Sequence, residues 1–238
     1  MATATPQARK VFFELTNACN FRCDFCPITT SVRPTRHMAW ELYTKGIDEI
    51  ALQGIARCVG FHILGEPLLY PRLSEAVGYA AERGLGTELH TNGSLLTPER
   101  LAGLMAAGLS QLVISLQTVG PEAFAGRGAR MPYATYYASV LDAVRQVAGT
   151  AAATRVTVCF MNTATRRLFD IDKRLCLGPE ADPVRGALPG LVHDLYGAIG
   201  RTVAPDEVER ALSRVRLREP RVVELSERVG VYVQPLAD

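Results

Sequence analysis

The sequence predicts an α/β protein, a mostly parallel sheet closed into a partial (β/α)6 barrel with an elaborated helical segment between strands five and six. Three observations carry this. Apolar, β-rich runs alternate with amphipathic helical stretches from residue 11 to residue 162. Helix starts and stops are punctuated by Pro and Gly at the positions where each belongs. The chain has 238 residues, 48% hydrophobic and 21% charged, which supports a sizeable core and argues against disorder.

Residues 11–15 (VFFEL) read as strand one, and 39–52 as an amphipathic helix. Residues 59–64 (VGFHIL) read as strand two, ended by Gly65-Glu66-Pro67. A helix over 72–83 is closed by Gly84. Residues 87–91 (TELHT) read as strand three, with Asn92-Gly93 as its turn. Thr97 caps the next helix, Pro98 takes its first position and Gly108 closes it. Residues 111–116 (QLVISL) read as strand four. A Gly/Arg-rich loop over 125–132 leads to a helix over 133–147, then strand five over 155–161 (RVTVCFM). The rhythm then breaks. Two helices, 191–200 and 205–215, lie among loops rich in Pro, Gly and Arg. Strands are expected at 221–225 and 229–234, the second serving as strand six. The chain divides into an arm (1–10), a core (11–162) and a substrate-covering helical segment with the last strands (163–238).

Charge narrows the function. Lys and Arg number 26 against 24 Asp and Glu, a net charge of +2, which excludes nucleic-acid binding by bulk positive charge. The start MATATPQARK has no apolar run after its basic residues, and no stretch reaches the roughly 18 apolar residues of a membrane span. A cytoplasmic, reducing location is the default expectation. There, clustered cysteines bind metal or do chemistry more often than they form disulfides.

Three of the six cysteines form one cluster, Cys19-Asn-Phe-Arg-Cys23-Asp-Phe-Cys26, directly after strand one. Three thiolates at this spacing suit iron–sulfur ligation. Structural zinc usually has four ligands paired as two Cys-x2-Cys units, and here the nearest fourth donor is His37. Three cysteines leave one iron of a four-iron cluster without a protein ligand, open to something that reacts.

This motif, in this position, resembles the radical S-adenosylmethionine (radical SAM) superfamily, among members with a Cys-x3-Cys-x2-Cys motif. Other segments resemble the family in the same order. Phe25 matches an aromatic position whose backbone lies near the adenine. Gly65-Glu66-Pro67 matches the Gly-Gly-Glu segment that holds the methionine amino group, with Leu64 in place of the first glycine. Thr91-Asn92-Gly93 is similar to the Thr-Asn-Gly of many members. Ser115 and Gln117 fall at the ribose and carboxylate contacts, Arg127 at the arginine that pairs with the methionine carboxylate, and Asn162 at another polar position. The resemblance implies a [4Fe–4S] cluster on Cys19, Cys23 and Cys26 that binds S-adenosylmethionine through its open iron. It implies cleavage to a 5′-deoxyadenosyl radical, which abstracts hydrogen from a substrate, and a one-electron donor such as flavodoxin or ferredoxin. It covers residues 11–162 well and the C-terminal third poorly.

Side-chain alternation gives an independent expectation. One face collects His62, Glu66, Glu88, His90, Asn92, Ser115 and Gln117, with Phe160 joining Asn162. The other collects Ile63, Leu89, Ile114 and Leu116. A purely structural parallel sheet would be apolar on both faces. Each feature also has a plainer reading. Glu66 can be a helix-start acid, Asn92-Gly93 a simple turn, Arg127 a solvated loop residue, and His62 and His90 buried polar residues. Cys58 and Cys159 are expected to be small core residues, Cys159 facing the helices. Cys176 is kept as a candidate hydrogen donor to a substrate radical. No cysteine follows it, so no cysteine-rich auxiliary-cluster domain is expected in this chain. A small biosynthetic substrate (sugar, aminocyclitol or nucleoside) is the first expectation, undergoing epimerisation, elimination or dehydrogenation. A ribosomally made peptide is the second. A non-catalytic module with zinc or a structural cluster is the rival of another class.

Overall fold

A computed structural model describes residues 8–117, 119–162, 183–213 and 221–235. The elements are β1 (Val11–Phe13), α1 (Trp40–Gln53), β2 (Cys58–Phe61), α2 (Leu73–Ala81), β3 (Gly86–Thr91), α3 (Pro98–Ala106), β4 (Gln111–Gln117), α4 (Pro121–Ala125), α5 (Tyr133–Gly149), β5 (Arg155–Asn162), α6 (Pro183–Ala198), α7 (Pro205–Leu212), β6 (Arg221–Glu224) and β7 (Val229–Pro235). One seven-stranded sheet has the order β1-β2-β3-β4-β5-β7-β6. Every neighbouring pair is parallel except β6 with β7. Six parallel strands with helices between them are the partial barrel the sequence predicts, and β7 is its sixth strand. β6 adds an antiparallel edge.

The helix-facing side of the sheet is apolar except on β3, where Thr87 and Thr91 flank Leu89. Val59, Phe61, Leu89, Leu112, Ile114, Val156, Val158, Phe160, Val231 and Val233 are fully buried. Tyr43 and Ile47 of α1, Leu101 and Leu104 of α3, and Val140, Val144 and Val147 of α5 bury against them, at the three- and four-residue spacing of one helix face. Each such side chain contributes about 1.5–3 kcal/mol relative to exposure, so a charge at Val158 would break the sheet–helix seam.

α6 begins eight residues before the expected start at 191, although Pro189 lies inside it. Leu188, Leu191, Val192 and Leu195 are buried on one face, and Tyr137 of α5 donates to Asp194 at 2.7 Å. Tertiary packing overrides the proline penalty here. The five-residue α4 is too short to show a periodicity in sequence.

Three face assignments, those of Phe160, Cys159 and Ile63, are corrected by the structure. Phe160 does not face the site. With Val156 and Val158 it belongs to the core, and Cys159 lies on the other, inner face with Thr157, which accepts from Gln111 Nε2 at 2.8 Å. Counting back from polar Asn162 gave the wrong parity; the apolar residues at 156, 158 and 160 set the true one. Ile63 is not a core residue either. β2 ends at Phe61, and Ile63 is 54% exposed with a φ of 118°, a conformation a β-branched residue rarely adopts.

Candidate active site

The three clustered cysteines lie in the loop that joins β1 to α1, at the C-terminal edge of the parallel strands, where barrels of this kind place their chemistry. The base of the loop is pinned. Met38 N donates to Leu15 O at 2.8 Å, Arg36 N to Asn17 Oδ1 at 2.7 Å, and Asn17 Nδ2 to Pro34 O at 3.0 Å. Within it, Phe21 N donates to Cys19 Sγ at 3.4 Å, Cys26 N to Cys23 O at 2.9 Å, and a 3-10 turn, Pro27–Thr30, follows Cys26. Cys23 is buried; Cys19, Cys26 and Phe25 are half-buried.

The thiols share one electrostatic environment. Burial pushes Cys19 up, the Phe21 N–H opposes it, and Glu66, Cys23 and Cys26 raise it further. Burial pushes Cys23 up as well, and the Arg127 guanidinium beside it pulls it down. The donors are three thiols within eight residues, Cys19, Cys23 and Cys26, and an iron–sulfur cluster can take each thiolate on a different iron. The chemistry of this donor set fits a cluster.

The segment after β2 is locked onto this loop. Gly65 has a φ of 83°, and a Cβ there would come within 2.4 Å of Thr16 O and 2.8 Å of Ala18 O. Glu66 N donates to Ala18 O at 2.7 Å. The Glu66 side chain is 1% exposed and caps a 3-10 turn, Pro67–Leu69. It accepts from Leu68 N at 3.0 Å, Thr91 Oγ1 at 2.7 Å and Asn92 N at 2.7 Å. Burial raises its pKa against those three bonds and Arg127. The helix-start reading of Glu66 thus holds, and the same carboxylate ties β2 to β3. Three of a carboxylate's roughly four acceptor positions are occupied.

Asn92 also does two things. Its Oδ1 accepts from Ser94 N at 2.9 Å, which closes the turn, and its Nδ2 donates to Asn20 Oδ1 at 2.9 Å, inside the cysteine motif. Asn20 returns a bond to Ser94 Oγ at 2.8 Å. Ser115 and Gln117 are half-buried at the end of β4, past a bulge, with Gln117 at a φ of 60°. Asn162 closes β5, in register with Pro235. Arg127 is neither solvated nor an open fork. It is 1% exposed and donates from Nη1 to Ser115 O at 2.8 Å and to Leu116 O. The sequence singled out neither Asn20 nor Tyr136, which with Thr91 knit these segments together. Asn20 was findable from its place between two cysteines. Tyr136, an aromatic on a long helix, carried no signal. Cys176 lies outside the described residues.

Beneath this layer, the inner face of the barrel carries a second polar group. Lys10 Nζ and His90 Nε2 both lie 2.5 Å from Glu88 Oε1. His62 stacks on His90 at 4.2 Å, and Phe12 meets both rings edge-on. Glu88 is held down to about 2: burial raises it, and His90 and Lys10 outweigh that. His62 is pushed down to about 4, chiefly by the packing around it and then by His90. It is nonetheless open to solvent, as a side chain lining a concave wall can be. These histidines are therefore not fully buried polar residues. Beside the cysteine loop, an open cleft of about 450 Å³ is lined by Cys19, Asn20, Arg22, Ser94, Arg130 and neighbouring residues, a size suited to a small-molecule ligand.

The radical SAM superfamily profile matches residues 13–160. An AdoMet-dependent heme synthase of Methanosarcina barkeri is 35% identical over 123 residues, which cover 51% of this chain and 35% of that protein. An S-adenosyl-L-methionine-dependent 2-deoxy-scyllo-inosamine dehydrogenase of Niallia circulans is 30% identical over 116 residues, 48% of this chain and 46% of that one. A PqqA peptide cyclase of Streptomyces rochei is 32% identical over 151 residues, 62% and 39% of the two chains. The match thus spans between about a third and a half of these relatives' length. The crystal structure of Streptococcus suis SuiB bound to S-adenosylmethionine shares the fold at a TM-score of 0.54 and 18% identity, over 66% of this chain and 35% of that one. No helix among the described residues is long and apolar enough to cross a membrane. The cysteine loop, the segments locked to it and the match over more than half the chain agree: this protein belongs to the radical SAM superfamily, whose enzymes use a [4Fe–4S] cluster and S-adenosylmethionine.

Proposed function

We propose that this chain is the catalytic core of a radical SAM enzyme that abstracts hydrogen from a small polar substrate held against the inner face of the barrel. The observation that carries this is the three-cysteine loop bonded directly to the Glu66 and Asn92 segments at one end of a parallel sheet. When bound, the cofactors supply one-electron cleavage of S-adenosylmethionine and hydrogen-atom abstraction.

The chain's own residues hold and orient. Cys19, Cys23 and Cys26 would ligate the cluster. The remaining acceptor position of Glu66 would receive the cofactor's ammonium. Ser115 and Gln117, at the end of β4, would meet the ribose and carboxylate, Asn162 at the end of β5 would add a further polar position, and Phe25 would lie beside the adenine. An acidic one-electron carrier of the flavodoxin or ferredoxin type would deliver the electron. Substrate would lie over Phe12, His62 and His90, with the Lys10–Glu88 pair behind them. Imidazoles beside an exposed aromatic ring suit a polyhydroxylated ring, which offers hydroxyls to the one and C–H faces to the other. The relative named as a 2-deoxy-scyllo-inosamine dehydrogenase supports that class. A peptide is the second reading, supported by the relatives named as PqqA peptide cyclases.

The test is metal analysis of anaerobically reconstituted protein. Iron and sulfide with an absorbance band near about 400 nm, lost in Cys23→Ala, are expected of a thiolate-held cluster. Zinc without that band would return the chain to the non-catalytic class.

A further inference from the structure

Arg127 holds a permanent charge at a site where water is excluded, since it is 1% exposed. Nη1 reaches Ser115 O at 2.8 Å, Leu116 O, and Tyr136 Oη at 3.4 Å. Nε has no partner among the described residues, and no carboxylate there bonds to the guanidinium. The Glu66 carboxylate feels its charge but bonds to Leu68, Thr91 and Asn92 instead, so this buried cation has no anion bonded to it among the described residues and is suited to hold one more.

The neighbour it does have is the cysteine loop. The turn over 126–128 brackets Cys23 from both sides: Arg22 N donates to Arg127 O at 3.1 Å, and Asp24 N to Gly126 O at 3.0 Å. The approach is so close that a Cβ at Gly128, whose φ is 56°, would lie 2.7 Å from Arg22 O. The guanidinium stands beside the Cys23 thiol and 5.0 Å from the Phe21 ring. Phe21 packs on Tyr136 at 5.9 Å, and Tyr136 Oη donates to Asn92 O at 2.8 Å. Arg127 therefore sits at the joint of β4, the cysteine loop and the turn after β3.

We propose that Arg127 is a positioning residue for the cluster and its built-in counter-charge, fixing the loop around Cys23 and raising the cluster's reduction potential. This deepens the cluster reading above and rests on it. Reduction adds one negative charge to a thiolate-ligated cluster, and a fixed cation in a low-dielectric setting stabilises the reduced form more than the oxidised one. The β4 carbonyls hold that cation in place beforehand, so no reorganisation accompanies the electron. Such a role differs from an open clamp on the cofactor's carboxylate.

The experiment is an EPR-monitored redox titration of the reconstituted full chain without S-adenosylmethionine, beside the rate of iron loss to a chelator. Arg127→Gln keeps an N–H and removes the charge. At the wild-type midpoint its reduced-to-oxidised ratio is expected to fall about tenfold or more. Arg127→Lys keeps the charge and loses the fork, so the ratio stays within about threefold of wild type while iron is lost faster. A Gln variant with full iron and an unchanged ratio overturns the proposal. Should the Gln variant hold no iron, the Lys variant decides: a tenfold fall there would place the effect in loop geometry and overturn the charge role. A wild type that binds no iron would instead sink the cluster reading itself.

Discussion

The cysteine end of the barrel and its inner wall are built to opposite rules. At the cysteine end, Glu66, Asn92, Asn20, Thr91 and Arg127 are bound to one another or to backbone, and Gly65 and Gly128 admit contact closer than any other residue allows. On the inner wall, Phe12 is 45% exposed and His62 is open, over an ion-paired base. A site for fixed cofactors gains from rigidity, because its geometry must be set before they arrive. A wall that meets a substrate keeps free surface until the substrate comes. The contrast predicts which changes disturb the fold and which disturb only binding.

The largest effect is expected at Gly65. Gly65→Ala puts a methyl 2.4 Å from Thr16 O at a φ of 83°, which should cost about 3 kcal/mol or more and abolish iron retention. Denaturant midpoint and iron per chain read this together; normal values in both would break the account of the locked loop. Glu66→Ala comes next. It leaves Leu68 N, Asn92 N and the Thr91 hydroxyl without their acceptor, at about 2–4 kcal/mol, and should weaken S-adenosylmethionine binding by calorimetry. If stability and affinity are both unaltered, Glu66 is not the tie between β2 and β3.

Phe12→Ala tests the other region. The ring is largely open, so stability should move by about 1 kcal/mol or less, while substrate KM rises. A stability loss matching that of Glu66→Ala would erase the contrast. The smallest effect concerns pH. His62 is held near about 4, below its usual 6.5. The folded state therefore resists its proton, so its contribution to stability is complete above about 6.5 and is lost as pH falls toward about 4. His62→Gln should flatten the stability profile in that window, measured by chemical denaturation. A wild-type slope in the variant would assign the dependence elsewhere.

Most of the sheet was legible because apolar alternation is strong and each helix carries its own punctuation, such as Thr97-Pro98 and Gly108. The cysteine motif was legible because three thiols this close suit a cluster and because the segments that follow resemble the radical SAM family in the same order. Failures came where local pattern and long-range packing disagree. Asn162 misled the face of β5, since one polar end residue weighs less than Val156, Val158 and Phe160 in the core. Pro189 hid the first turns of α6, which packing sustains. The plainer reading of Arg127 as a solvated loop residue fails on its burial, and nothing in a Gly/Arg-rich run reveals that its backbone will pair with residues a hundred positions earlier.

Everything proposed for this chain depends on the cysteine loop holding a cluster able to cleave S-adenosylmethionine. The most direct measurement is 5′-deoxyadenosine release by reconstituted protein given dithionite and S-adenosylmethionine, read by mass spectrometry. Release above background is expected in wild type and none in Cys23→Ala. No release from iron-loaded wild type, or equal release from both, would contradict it.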